Sequence, residues 1–190
     1  MRIDLIGDST QTNNAGCGRG FCSNLTPLVD CVNMSKGGAS TRTFREQGLW
    51  QRGLETKPDY MLIQFGHNDM ATPDHNPRET TMPEYEANLR SYVTEARAAG
   101  IKPILVTPLT RRYFGADGKI HSDLRAHSAT MKRVAAEMHV PLIDLQRDSI
   151  STAVLEQDDE RRYAVRMRLR FVLKRRRKMS TARQSSTRLI

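Results

Sequence analysis

Residues 2–10 read Arg2-Ile3-Asp4-Leu5-Ile6-Gly7-Asp8-Ser9-Thr10, a short apolar run that stops on a glycine, an acid and a hydroxyl. A run of this length closed by turn residues predicts a buried parallel strand. The same shape recurs along the chain. Tyr60-Met61-Leu62-Ile63-Gln64-Phe65 stops on Gly66-His67-Asn68-Asp69, residues 101–107 stop at Pro108, and residues 140–145 and the weaker 29–33 complete the set. Between these runs the spacing is helical. Tyr85, Leu89, Tyr92, Val93 and Ala96 share a face between Pro83 and Ala99, with Gly100 beyond. Leu124, His127, Met131, Val134, Ala135 and Met138 share another from Ser122 to Met138, where Ser122 or Asp123 is placed to cap. Strands alternating with such helices predict parallel β-α-β units and a doubly wound α/β sandwich. Ligands in such sheets sit beyond the carboxyl ends of the strands. Gly7-Asp8-Ser9 and Gly66-His67-Asn68-Asp69 are therefore expected to meet at one rim.

The length of 190 residues fits one domain, and 38% hydrophobic with 27% charged residues fits a soluble globular protein. No apolar run approaches the ~20 residues of a membrane helix. Met1 and Arg2 lead straight into a run interrupted by Asp4, which is no signal peptide. As given, the chain reads as cytoplasmic; a start codon upstream of Met1 would make it secreted or periplasmic. The cysteines, Cys17, Cys22 and Cys31, are odd in number and poorly spaced for zinc. They are expected to be free thiols.

The net charge of +9 is unevenly spread. Residues 1–160 hold 18 Lys and Arg against 21 Asp and Glu, a balance of −3, and residues 161–190 hold 12 Lys and Arg and no acid. A slightly acidic domain carries a basic tail.

A hydroxyl at the junction of strand and helix is a sensible nucleophile, because the backbone N–H groups that follow can hold an oxyanion. The hydrolase elbow G-x-S-x-G is absent: Gly38-Ala39-Ser40-Thr41 begins like one, but Arg42 stands where the last glycine belongs. Three segments in order carry more weight. They are Gly7-Asp8-Ser9-Thr10, then Asn33-Met34-Ser35-Lys36-Gly37-Gly38-Ala39-Ser40-Thr41-Arg42-Thr43-Phe44, then Gln64-Phe65-Gly66-His67-Asn68-Asp69. Together, over roughly residues 2–150, they resemble the SGNH/GDSL hydrolase family. Arg42 and Phe44 point to its rhamnogalacturonan acetylesterase branch.

The resemblance implies a three-layer sandwich with a mainly parallel central sheet, of flavodoxin-like type. It implies Ser9 as nucleophile, with the Gly38 N–H and the Asn68 side-chain amide donating to the oxyanion beside the N–H of Ser9. It implies no metal or organic cofactor, and an acetylated oligo- or polysaccharide of pectic type as substrate. His67 is expected to be a packed or rim histidine, not a catalytic one. No long apolar lid precedes Ser9 or follows Asn68, which speaks against a lipase.

The chain departs from the family at its end. The family's base and orienting acid come from a late Asp-x-x-His, and no histidine follows His139 here. His75 and His121 lie in loops, and His127 and His139 read as structural. The loss coincides with the arginine-rich stretch. The expected division is a hydrolase domain over 1–155, its C-terminal part truncated or replaced, and a basic tail over 156–190, disordered or produced by a frameshift. Two rivals follow: an inactive glycan-binding relic, and nucleic-acid binding through Lys174-Arg175-Arg176-Arg177-Lys178. The tail lacks stacking aromatics beyond Tyr163 and Phe171, so nucleic acid is not the expected partner. The oligomeric state is not legible.

Overall fold

The computed structural model describes residues 1–70, 77–111, 113, 114, 116, 120 and 122–155, the last five of these as backbone. The five apolar runs are five strands: β1 (Arg2–Gly7), β2 (Asp30–Asn33), β3 (Tyr60–Gln64), β4 (Lys102–Val106) and β5 (Leu142–Ile143). All pair in parallel, in the order β2-β1-β3-β4-β5. The register between β1 and β3 sets Leu5 opposite Leu62, Ile6 opposite Ile63 and Gly7 opposite Gln64. Both strands therefore end level, and the polar residues after Gly7 and Gln64 emerge together.

Alternation along the strands splits the core in two. Ile6, Met61, Ile63 and Leu105 face α2 (Thr41–Glu46), α3 (Leu49–Glu55), α4 (Met82–Ala98) and α5 (Arg125–Glu137), through Phe44, Trp50, Tyr85, Leu89, Tyr92, Val93, Met131 and Val134. Ile3, Leu5, Leu62 and Val106 face α1 (Gly18–Ser23) and α6 (Leu145–Leu155), through Phe21 and Leu145. The result is the expected three-layer α/β sandwich.

Helix ends follow their capping residues. Thr81 and Glu84 form a reciprocal capping box at the start of α4, with Pro83 in its first turn. Helix α5 starts later than its periodicity suggests. Leu124 stands at its N-cap with no side-chain cap, the Ser122 hydroxyl accepts from the Leu124 N–H instead, and Asp123 pairs with Arg111. Helix α6 showed no apolar stripe in the sequence. It is held through Leu145, which is 1% exposed.

One expectation is corrected. Cys22 and Cys31 form a disulfide that ties the last turn of α1 to β2, and only Cys17 is a free thiol. An odd count leaves one thiol over; it does not forbid a pair. The bond closes a loop with a sequence separation of 9. Replacing both cysteines with serine is expected to cost about 2–3 kcal/mol by the entropy of a loop this size. Thermal melts with and without reductant check this, and identical midpoints would contradict the bond. The basic tail, His75 and His121 lie outside the described residues.

Candidate active site

The rim is built on tight backbone turns at the ends of β1, β2 and β3. Gly7 closes β1 where a side-chain carbon would stand 2.6 Å from the Gln64 carbonyl, so only glycine fits. Asp8, fully buried, caps the single 3-10 turn Ser9–Gln11: its Oδ1 accepts from the Thr10 N–H at 2.9 Å and the Thr10 hydroxyl at 2.7 Å. Ser9 thereby sits half-buried on the first residue of that turn.

The stretch after β2 runs beside this turn. The Met34 N–H donates to the Leu5 carbonyl and the Lys36 N–H to that of Gly7, both at 2.9 Å. A side-chain carbon on Gly37 would lie 3.9 Å from Ser9 Cβ. Gly38 follows at φ +77°, in the left-handed region that favours glycine. Its N–H has no acceptor among the described residues. The chain then enters α2, where Ser40 and Thr43 cap each other.

The third segment is held from several sides. Gly66 has φ +145°, and a side-chain carbon there would press on Pro108 at 3.0 Å. The Asn68 side-chain amide donates to the Ala39 carbonyl at 3.0 Å. This fixes the amide beside Gly38 and leaves its second N–H to donate elsewhere. Ser9, Gly38 and Asn68, from three separate stretches, are thus brought to one rim.

Asp69 anchors this arrangement. Its Oδ1 accepts from the Thr41 N–H at 2.9 Å, the Thr41 hydroxyl at 2.5 Å and the Thr80 hydroxyl at 3.1 Å. The Asn88 amide donates to the same Thr41 hydroxyl, and the Tyr92 hydroxyl donates to the Thr41 carbonyl. Burial pushes the Asp69 carboxyl up to about 6, against the pull of the hydrogen bonds from Thr41 and Thr80. The folded protein therefore binds this proton before the unfolded chain does, and stability from this group is lost as pH rises from 3.8 through about 6. Compared with Asp69→Asn, the native protein is expected to lose about 3 kcal/mol across that window. Denaturant titrations of both proteins at either end check it, and a constant gap would refute it.

The histidines fall apart in role. His127 is 5% exposed and edge-on to Tyr85, and burial holds its imidazole down at about 4, as a neutral packed ring. His139 is exposed after α5, where the chain turns back to the start of β5, at the far end of the sheet from Ser9. His67 stands at the rim with its Nδ1 3.6 Å from Asp8 Oδ2, beyond a hydrogen bond; neither atom has a hydrogen-bond partner. Arg111, paired with Asp123, donates to the His67 carbonyl. Sequence reasoning had no signal for the Asp8–His67 approach or for the Thr41–Asp69–Thr80 network, whose members are 11 to 59 residues apart. Among the described residues, no group of three or more His, Cys, Asp or Glu could hold a metal.

Parallel sheet and helices on both faces define a doubly wound α/β protein, with the Ser9 hydroxyl beyond the carboxyl end of a central strand. The chain belongs to the GDSL-like lipase/acylhydrolase family, whose model matches residues 5–167. It is 37% identical over 154 residues to the rhamnogalacturonan acetylesterase RhgT of Bacillus subtilis, a match covering 76% of this chain and 65% of that one. It is 35% identical over 159 residues to a second B. subtilis protein, YesY, named a probable rhamnogalacturonan acetylesterase, covering 78% and 72% respectively. The chain thus spans about two thirds of the length of these relatives. Among solved structures, the B. subtilis protein YXIM superposes with a TM-score of 0.70 at 28% identity, over 80% of this chain and 46% of that one. An acetyl xylan esterase from Geobacillus stearothermophilus shares the fold, with a TM-score of 0.63 at 22% identity, over 83% and 81%.

Proposed function

We propose that this chain is a carbohydrate O-acetylesterase that removes acetyl groups from pectic, rhamnogalacturonan-type polysaccharide. The observation that carries the reading is the meeting of Ser9, Gly38 and Asn68 at one rim, in a chain whose relatives bear that name. Ser9 Oγ attacks the acetyl carbonyl carbon, and the electron pair moves to the oxygen. The N–H groups of Ser9 and Gly38 and the Asn68 amide hold that oxyanion. Collapse expels the sugar oxygen, which takes up the serine proton and leaves acetyl-Ser9. Water then adds to the acetyl carbon of acetyl-Ser9, and collapse breaks the bond to Ser9 Oγ, which takes up one water proton while acetate and the other proton leave. Each such donor contributes ~3–4 kcal/mol to lowering the barrier.

The proton transfers need a base, and the 190 residues given hold no Asp-x-x-His after Leu145. The oxyanion site and binding alone sustain ~10³–10⁴ over the rate in water. This favours one second reading, a crippled enzyme that binds acetylated glycan with little turnover. We divide the chain into a hydrolase domain over 1–155 and a basic tail over 156–190, disordered or produced by a frameshift, with the family match running on to residue 167. Reading the gene in all frames beyond codon 140 tests this, because an Asp-x-x-His in another frame would restore the base. The Cys22–Cys31 bond supports an exported protein, since disulfides persist in oxidising compartments. The function is tested by acetate release from acetylated rhamnogalacturonan and from 4-nitrophenyl acetate. Failure on both, with undiminished glycan binding, would replace the enzyme by the relic.

A further inference from the structure

A serine that attacks an ester must shed its proton to a base, and the described residues offer one histidine in a position to take it. His127 is packed and neutral, and His139 lies at the far end of the sheet. His67 stands at the rim on a clamped stretch of backbone: Arg111 donates to the His67 carbonyl at 3.2 Å, and the side-chain amide of the next residue, Asn68, donates to the Ala39 carbonyl at 3.0 Å. The Nδ1 of His67 is 3.6 Å from Oδ2 of Asp8, with side chains 12% and 0% exposed. Both atoms are sealed from solvent without a hydrogen-bond partner, whereas Nε2 of the same ring is not sealed in this way. Two unpaired polar atoms buried face to face are costly, and a proton held between them removes the cost. Asp8 is also the residue before Ser9, and its other oxygen caps the turn on which Ser9 sits.

We propose that His67, backed by Asp8, is the group that takes the Ser9 proton in this chain. The inference rests on the acetylesterase reading and deepens it. With its own proton on Nδ1, facing Asp8, the neutral ring has the Nε2 electron pair free. Nε2 takes the proton of Ser9 Oγ, directly or through one water, as Oγ bonds to the acetyl carbon and the carbonyl pair moves to its oxygen. The imidazolium so formed faces the Asp8 carboxylate, and it hands the proton to the departing sugar oxygen. In deacylation it takes one proton from the attacking water and returns it to Ser9 Oγ. The gap of 3.6 Å must tighten for Asp8 to hold the ring, as catalytic hydrogen bonds do once substrate binds. The pair is therefore a looser device than a complete triad. Other titratable groups surround it: Arg111 and Asp123 after β4, His127 on α5, Asp69 after β3, Tyr85 on α4 and Cys17 before α1.

The test is the rate at which the full chain forms acetyl-Ser9 from 4-nitrophenyl acetate, read by mass across a range of pH. The native rate is expected to level off once the imidazole is neutral, whereas a serine relying on hydroxide keeps gaining about tenfold per pH unit. His67→Gln should lose about 10²-fold at the plateau, the low end for a general base, and lose the plateau itself. Asp8→Asn keeps an oxygen for the Thr10 donors and should lower the plateau too. In His67→Ala, added imidazole should restore acetyl-Ser9 formation, which it cannot do for a merely structural defect. A plateau that persists in His67→Gln, or no rescue by imidazole, would overturn the role of His67 and leave the acetylesterase reading standing. A native chain that gains no acetyl group would overturn both.

Discussion

Incubated with 4-nitrophenyl acetate, the native chain is expected to gain the mass of one acetyl group on Ser9, and Ser9→Ala none. The ester suits the question because nitrophenolate leaves without help from a general acid. These 190 residues hold no Asp-x-x-His after Leu145, so under the crippled-enzyme reading water attacks the acyl-enzyme unaided and the adduct should persist long enough to weigh. The accompanying fall in rate is expected to stay far below the ~10⁶ that a complete triad loses with its serine. Triad members act as a unit, so in a chain without its base most of that loss would already have been taken. Equal labelling of native chain and variant would exclude Ser9 as nucleophile.

Asn68→Ala should cut the remaining rate by about 10²–10³, the usual effect of deleting one oxyanion donor. Under the proposed reading the effect falls in full on this chain, because the oxyanion site would be what sustains its turnover. The amide is already oriented: one N–H is engaged by the Ala39 carbonyl at 3.0 Å, so it need not reorganise when charge develops. The loss should therefore appear in kcat with KM little changed. Asn68→Asp, similar in shape, should be at least as damaging, because it replaces two donors by a negative charge facing a developing negative charge. An unchanged kcat in Asn68→Ala would remove the residue from the site.

The sheet was legible in the sequence for a physical reason. Strands buried on both faces are apolar nearly throughout, and residues 3–6 and 60–65 show this with a single polar residue each, Asp4 and Gln64. That Ser9, Gly38 and Asn68 would come to one end of the sheet was legible because each follows a strand and the register is parallel. The Cys22–Cys31 pairing was not legible, since cysteine count says nothing of which side chains face each other. The Thr41–Asp69–Thr80 network depends on how two stretches meet at the rim, and no spacing rule encodes that. Helix α6 was missed because, among its described residues, two of the three buried positions, Gln146 and Ser149, are polar and give no apolar stripe.

The order β2-β1-β3-β4-β5 has a kinetic consequence. Ile3 pairs with Tyr60 across 57 residues of chain, and the loop-closure entropy of that pairing must be met before any contact in it is gained. No two strands of the sheet are joined as a hairpin, so there is no local β nucleus to shorten the search. Helix α4, with its capping box and 17 residues, can form early from local interactions. The rim, which needs the ends of β1, β2 and β3 together, can exist only after the slow long-range pairings are complete. During synthesis the apolar strands β1 and β2 leave the ribosome long before β3 arrives to cover the second edge of β1, and in that interval they are exposed to association with other chains.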